Sequence, residues 1–139
     1  MIKALIDTNI IIDFFLEREP FYKDVEIIFQ KINDKKITGY ISVSAVTDIF
    51  YLLRKAKGNS DAVNCILKLI QIIEILSIDK QIIIDALFLN WSDFEDAVQA
   101  QTAIENEMDV IISRNTKDFQ KIMNVKVLTP TEFIEWMKK

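Results

Sequence analysis

The stretch Ala4-Leu5-Ile6-Asp7-Thr8-Asn9 carries the main indication of the fold. An apolar run without alternation is typical of a strand that is buried on both faces of a parallel sheet. The acid that ends this run would be costly to bury unless something satisfied it. Asp is also a good N-cap for the helix expected from Asn9, so capping and a functional role both remain open for Asp7.

Short apolar runs and longer helical patterns alternate from this strand to the C-terminus. This alternation predicts a three-layer α/β/α domain with a central parallel sheet of four to five strands. With 139 residues, half of them apolar, the chain can bury one core, and we expect a single domain over residues 1–139. Further strands are expected at 37–41, 74–76, 110–113 and 126–128, with helices from Asn9, over 22–34, from Ser42 or Ser44 to Leu53, over about 60–73, 80–89 and 93–107, and from Thr129-Pro130.

Composition narrows the possible chemistry, because the sequence has no histidine and one cysteine. Zinc sites of the His/Cys type and Ser-His or Cys-His catalytic pairs are thereby excluded. Cys65 lies in an apolar helical stretch and is expected to be a buried structural thiol. What remains for hydrolysis is carboxylate chemistry with a hard cation. The net charge of -4 argues against nucleic acid as a partner, but an acidic site lowers the net charge by itself.

The N-terminus has no secretory pattern, because a charge interrupts its short apolar run. No apolar run is long enough for a membrane span. We therefore expect a cytoplasmic protein without a membrane partner.

Several aspartates follow predicted strands, where ligands of parallel sheets bind. Asp7 follows the first strand, Asp48 lies in the first turns after the second, and Asp118 lies in the loop after the fourth. Asp109 precedes the fourth strand and is expected at the opposite edge of the sheet. The first three are therefore candidates for one acidic cluster.

Asp48 lies in a helix that is apolar on nearly every side, which does not suit a solvated carboxylate. A favourable interaction with the helix N-terminus is the alternative explanation.

Asp96 lies near the start of a predicted helix. Ser92 and Glu95 have the spacing of a capping box, and Asp93 could also cap, so capping explains these three. Asp96 instead heads a face of small residues, Ala100 and Ala103, that suits close packing on the sheet. This position directs it across the strand ends.

The loop after the fourth strand offers oxygen donors from Asn115 and Asp118, and Arg114 and Lys117 could contact a phosphate. An ordinary charged surface loop is the alternative. Carboxylates brought together repel one another until their pKa values rise or a cation neutralises them. Mg²⁺ or Mn²⁺ suits an all-oxygen site and can acidify water for hydrolysis, so no histidine base is needed.

The order of these motifs resembles the PIN-domain family and, within it, the VapC-type toxins of bacterial toxin-antitoxin pairs. The resemblance spans nearly the whole chain and implies a Mg²⁺- or Mn²⁺-dependent endoribonuclease acting on RNA, commonly a homodimer, inhibited by a small antitoxin. The motifs are LIDTN at 5–9, VTDIFY at 46–51, DFEDA at 93–97, SRNTKDF at 113–119 and LTP at 128–130.

Carried over by position, Asp7, Asp48 and Asp96 are the principal catalytic and metal-binding carboxylates. The resemblance implies that Thr8 or Asn9 orients Asp7, and Ser113 is counted as a supporting residue. Two positions depart from the family: Asp48 stands where Glu is common, and Asn115 stands where Asp is frequent. The fourth ligand is therefore open between Asp118 and Asn115.

Other functions remain possible from the sequence. A catalytically weak RNA- or protein-binding module is the main alternative, given the departures at Asp48 and Asn115. A phosphatase of the haloacid-dehalogenase type would need an acid at Asn9, and a receiver domain would have only Asp79 as a phosphoacceptor. The apolar helices over 48–53 and 62–73 are covered either by the domain's own core or by a second subunit or an antitoxin helix.

Overall fold

A parallel sheet forms the centre of the computed structural model, which describes residues 1–119, 122 and 124–139. Its strands are β1 (Ile2–Ile6), β2 (Ile37–Ser42), β3 (Glu74–Leu76), β4 (Val110–Ile112) and β5 (Lys126–Leu128). They lie in the order β3-β2-β1-β4-β5, and every neighbouring pair is parallel. The predicted parallel sheet is confirmed, and β1 is its central strand.

Helices follow the strands as the alternating pattern predicts. No helix in the described part of the chain is both long and apolar enough to cross a membrane. A one-turn 3₁₀ helix, Thr116–Phe119, lies where the sequence predicted only a loop. The α-helices are α1 (Thr8–Phe15), α2 (Tyr22–Asn33), α3 (Val43–Lys57), α4 (Asn59–Ile72), α5 (Lys80–Leu89), α6 (Phe94–Glu105) and α7 (Pro130–Met137).

Helix α3 continues one turn beyond its predicted end at Leu53. Its last turn contains Arg54, Lys55 and Lys57, whose positive charges interact favourably with the C-terminal end of the helix dipole. The helix ends at Gly58, which has φ of 92°, a conformation that glycine adopts without a steric penalty. At the other end Ser42, rather than Ser44, accepts a hydrogen bond from Ala45 N.

The two faces of the sheet pack against different helices, because successive side chains of a strand point in opposite directions. Ala4 and Ile6 of β1 join a core with side chains of α1, α2, α3, α4 and α7. Cys65 is buried in the same core, as expected for a structural thiol. On the other face Leu5 packs with Ala100 and Ala103 of α6, which confirms the predicted packing of this small-residue face.

The strand order places a topological switch point between β1 and β4. From β1 the chain builds the sheet outward through β2 and β3, and it then returns to place β4 and β5 on the other side of β1. Ile6 lies opposite Ile112, so the residues that follow these two strands are neighbours. Ligands of open parallel sheets bind in the crevice at such a switch point.

The core on the α7 side should dominate stability. Phe133 of α7 is completely buried there, whereas Phe88 of α5 is 84% exposed. We expect Phe133→Ala to lower the free energy of unfolding by about 3–5 kcal/mol, because it leaves a cavity in a closely packed core. The matched variant Phe88→Ala should change it by less than about 0.5 kcal/mol. Urea unfolding followed by circular dichroism measures both, and equal losses would contradict the core described above.

Candidate active site

The carboxylate of Asp7 lies at the switch point between β1 and β4. Its backbone N donates to Ile112 O at 3.0 Å, which extends the ladder between the two strands by one residue. Asp7 is also the N-cap residue of α1, so the capping interpretation holds for it as well. The two interpretations of Asp7 do not compete, because one oxygen accepts from the helix while the carboxylate faces a cleft.

Three hydrogen bonds fix this carboxylate, which is only 6% exposed. Asp7 Oδ1 accepts from Thr8 N at 2.8 Å and from Gln99 Nε2 at 3.0 Å, and Oδ2 accepts from Ser113 Oγ at 2.8 Å. Because an ionised carboxylate only accepts, Gln99 must turn its NH₂ group toward Asp7. The groups that orient Asp7 are therefore Thr8 N, Gln99 and Ser113, so Thr8 orients Asp7 as expected, through its main chain.

An acidic cleft of about 440 Å³ opens above Asp7. Six of its lining residues are acids, and none of the lining residues is a lysine or an arginine. The four aspartates predicted from the sequence all line it, together with Asn115. The lining residues are Asp7, Thr8, Asn9, Asp48, Tyr51, Leu52, Asp93, Glu95, Asp96, Asn115 and Asp118.

Helix α3 brings Asp48 to the cleft. This helix begins directly after β2, so its first turns lie at the carboxyl edge of the sheet. Asp48 is half-buried and lies one turn before Tyr51, which lines the same cleft. The shorter side chain at this position therefore still reaches the cleft wall.

The N-terminus of α6 supplies three further acids. Asp93 caps the helix by accepting from Asp96 N at 3.1 Å. The alternative that Asp93 caps this helix is confirmed, whereas the capping box between Ser92 and Glu95 is wrong, because Glu95 faces the cleft. Glu95 is thus a cleft residue that the capping pattern concealed.

Crowding of negative charge raises two pKa values in the cleft. The pKa of Asp96 is raised to about 7, first by partial desolvation and then by the charges of Asp93, Asp7, Asp118 and Glu95. The pKa of Glu95 is also raised, by desolvation and then by Asp48, Asp7 and Asp93. Carboxylates from β1, α3, α6 and the loop after β4 therefore act on one another electrostatically. A cation in the cleft would relieve this repulsion.

The loop after β4 carries both candidates for a fourth oxygen ligand. Ser113 Oγ donates to Asp7 and accepts from Asn115 N at 3.0 Å, so it ties the loop to the first carboxylate. Asp118 N donates to Asn115 O at 3.1 Å within the 3₁₀ turn. Asn115 and Asp118 both line the cleft.

The two predicted phosphate contacts lie elsewhere. Arg114 Nε is 3.0 Å from Asp13 Oδ2, and the Arg114 guanidinium lies 4.1 Å from the centre of the Phe21 ring. Lys117 is exposed on the 3₁₀ turn and is not among the residues that line the cleft. Arg114 therefore has a structural partner on α1.

Asp13 is the buried acid that the sequence analysis missed. It is completely buried in α1, with Arg114 at 3.0 Å and Arg18 at 3.9 Å. Burial raises its pKa, and the two arginines oppose this effect only in part. An acid between isoleucines and phenylalanines in residues 10–15 was the available signal. The sequence carried a similar signal for Gln99, because this polar residue interrupts a run of small residues on α6.

The donor set fits a hard divalent cation, since carboxylate and amide oxygens are the ligands that Mg²⁺ and Mn²⁺ prefer. Thr8 Oγ1 also lies in the cleft wall, buried and without a hydrogen-bond partner among the described residues. In the described part of the chain, no three acidic side chains converge closely enough to hold an ion by themselves.

A PIN-domain family model matches residues 3–117. The chain belongs to the PIN-domain family. This PIN domain is 29% identical over 138 residues to Ribonuclease VapC1 of Aquifex aeolicus, which covers 96% of this chain and 94% of that protein.

Solved structures show the same architecture. A toxin-antitoxin complex from Klebsiella pneumoniae matches with a TM-score of 0.68 and 25% identity, over 91% of this chain and 97% of that chain. DNA-bound VapBC from Salmonella typhimurium matches with a TM-score of 0.70 and 18% identity, over 94% of this chain and 99% of that chain. At 18% identity, the match to VapBC shows a shared fold and no more.

The raised pKa of Asp96 predicts a pH-dependent loss of stability. Between 3.8 and about 7 the folded state holds a proton that the unfolded state has released, so stability falls as the pH rises through this range. In metal-free buffer we expect Asp96 to lower the free energy of unfolding of the wild type by about 1 kcal/mol over this pH range, a value reduced for solvent screening of a half-buried group. The variant Asp96→Asn should lack this part of the decline. Urea unfolding at several pH values measures this difference. Asp109→Asn is the control, because it also removes one carboxylate charge but lies outside the cleft. If the free energy of unfolding changed with pH in the same way for wild type and Asp96→Asn, the crowding of negative charge around Asp96 would be contradicted.

The pair of Asp13 and Arg114 predicts an asymmetric response to substitution. We expect Arg114→Met to lower the free energy of unfolding by about 3 kcal/mol, because it removes the nearest cation from a buried carboxylate. The double variant Asp13→Asn/Arg114→Met should recover part of this loss. Lys138→Met, which breaks the exposed pair with Glu135, is the control and should have little effect. Chemical unfolding measures all three, and an equally small effect of Arg114→Met would refute the anchoring role.

Proposed function

We propose that this PIN domain is a divalent-metal-dependent endoribonuclease and the toxin of a toxin-antitoxin pair, acting in the cytoplasm. The observation that carries the proposal is the buried Asp7 carboxylate at the strand switch point, which faces further carboxylates across an open cleft. Similarity to Ribonuclease VapC1 over nearly the full length of both chains supports RNA as the substrate.

Asp7, Asp48 and Asp96, with Asp118 or Asn115, would hold Mg²⁺ or Mn²⁺ in part through the water molecules that such an ion keeps. When bound, the ion would place positive charge beside the phosphate oxygens and acidify water for attack on phosphorus. The cleft wall, which presents six acids and no basic side chain, supports a requirement for a cation. A phosphodiester entering this wall without a cation would be repelled.

The protein's own side chains prepare the cleft for this reaction. Gln99 and Ser113 hold the Asp7 carboxylate in one orientation, so it needs no rearrangement when a ligand binds. The cleft volume of about 440 Å³ lies in the range of small-molecule sites and suits one nucleotide with its phosphate. The rest of an RNA strand would extend over the neighbouring surface.

A small antitoxin and a second copy of the chain are the proposed protein partners. The Klebsiella pneumoniae toxin-antitoxin complex supports the first of these. Helices α3 and α4 also expose a set of apolar side chains that a protein partner would cover. This set consists of Leu52, Val63, Leu67 and Ile70.

Cleavage of a mixed single-stranded RNA tests the proposed activity. Wild type should cut in Mg²⁺ or Mn²⁺ and stop cutting when EDTA removes the metal. Asp7→Asn and Asp96→Asn should each lower the cleavage rate by about 100-fold or more, because each removes a charge that holds the cation. Asp109→Asn is the matched control: its carboxylate binds Lys3 N at the opposite edge of the sheet, so activity should be retained.

The outcomes separate the ribonuclease from a binding module. Metal-dependent cutting that survives both Asp7→Asn and Asp96→Asn would contradict the proposed site. Wild type that binds RNA but cuts none under any metal condition would favour the catalytically weak binding module.

A further inference from the structure

Tyr51 is an aromatic side chain at the rim of the acidic cleft. It lies on α3, one turn after Asp48, and it lines the same cleft while 62% of its surface is exposed. A ring with this exposure contributes little to the core. Its position beside the proposed metal ligands gives it access to whatever occupies the cleft.

Two neighbours restrict the Tyr51 ring. Phe50, which packs against the core, meets it edge-on at 5.7 Å between ring centres. The Arg54 guanidinium lies 5.9 Å from the centre of the Tyr51 ring. The ring is therefore partly ordered before a ligand binds, which lowers the entropy lost on binding.

Helix α3 presents three kinds of chemistry along one stripe. Asp48, Tyr51 and Lys55 are spaced i, i+3 and i+7, so they share one side of the helix. Arg54 lies beside this stripe, about 9 Å along the helix axis from Asp48. The order from the cleft outward is acid, aromatic ring and cation. An RNA strand offers matching groups: a phosphate for the proposed metal, a base that branches from the backbone, and a neighbouring phosphate.

We propose that Tyr51 stacks on an unpaired base next to the cleaved phosphodiester, and that Arg54 and Lys55 contact the phosphate beyond it. Every base has a face that can stack on tyrosine, so this contact tolerates many sequences. A base inside a duplex cannot leave its stack without cost, so the contact selects single-stranded RNA. The inference rests on the proposed ribonuclease function and assigns substrate contacts outside the metal site.

Four variants test the stacking contact on single-stranded RNA. Tyr51→Leu should raise KM about tenfold with little change in kcat, because it removes one base–aromatic stack outside the reacting atoms. Tyr51→Phe keeps the ring and should stay within about twofold of wild type. Arg54→Gln should raise KM and weaken its dependence on salt. Phe88→Leu is the control, because it changes an exposed aromatic residue that does not line the cleft.

RNA substrates with a single abasic site provide a measurement that would not depend on Tyr51 if its role were only structural. An abasic site at one position beside the cut should impair wild type as much as Tyr51→Leu impairs the intact substrate. The Tyr51→Leu enzyme should lose nothing further on that abasic substrate, because protein and RNA then lack the same contact. Full additivity of the two losses would overturn the inference.

Binding of labelled RNA, measured by fluorescence anisotropy with Ca²⁺ in place of Mg²⁺, tests the stacking contact separately from the nuclease activity. Tyr51→Leu should weaken binding about tenfold relative to Phe88→Leu. Cleavage by wild type with no difference between these two variants would overturn the stacking contact alone. Tyr51-dependent binding without any cleavage would overturn the nuclease alone. Wild type that neither binds nor cuts RNA would overturn both.

Discussion

The burial of the Asp7 carboxylate at the end of the central strand is the constraint on which the rest of the site depends. A charge in this position is tolerated because Ser113, Gln99 and the Thr8 main chain all donate to it. These donors come from three different elements, so satisfying one carboxylate fixes the relative positions of β1, β4 and α6. The other acids of the cleft lie on elements that this arrangement has already positioned.

The acidic cleft also explains how a chain of net charge -4 can have RNA as its proposed substrate. Negative charge is concentrated at the site, where the pKa of Asp96 rises to about 7. Positive charge lies farther along α3, in its last turn. For the proposed substrate, the distribution of charge over the surface therefore matters more than its sum over the chain.

The sequence predicted the parts of the site that follow from local rules. Asp7 and Asp48 were found because they come after strands, and Asp109 was placed at the opposite edge for the same reason. Gln99 was missed because its partner is 92 positions away, and no local pattern connects the two. Arg114 was assigned to a phosphate because the sequence does not show which buried acid lies beside it. Pairings between distant elements were therefore the part that sequence reasoning could not reach.

The strand order has a consequence for the time at which the cleft can form. β1 is made first, but its neighbour β4 and the Ser113 hydroxyl come 106 residues later. An unfinished chain carries Asp7 without the loop that orients it and without Asn115 or Asp118. The complete set of oxygen donors therefore comes together only when synthesis has passed residue 118. A growing chain on the ribosome consequently does not present the finished cleft to the RNA around it.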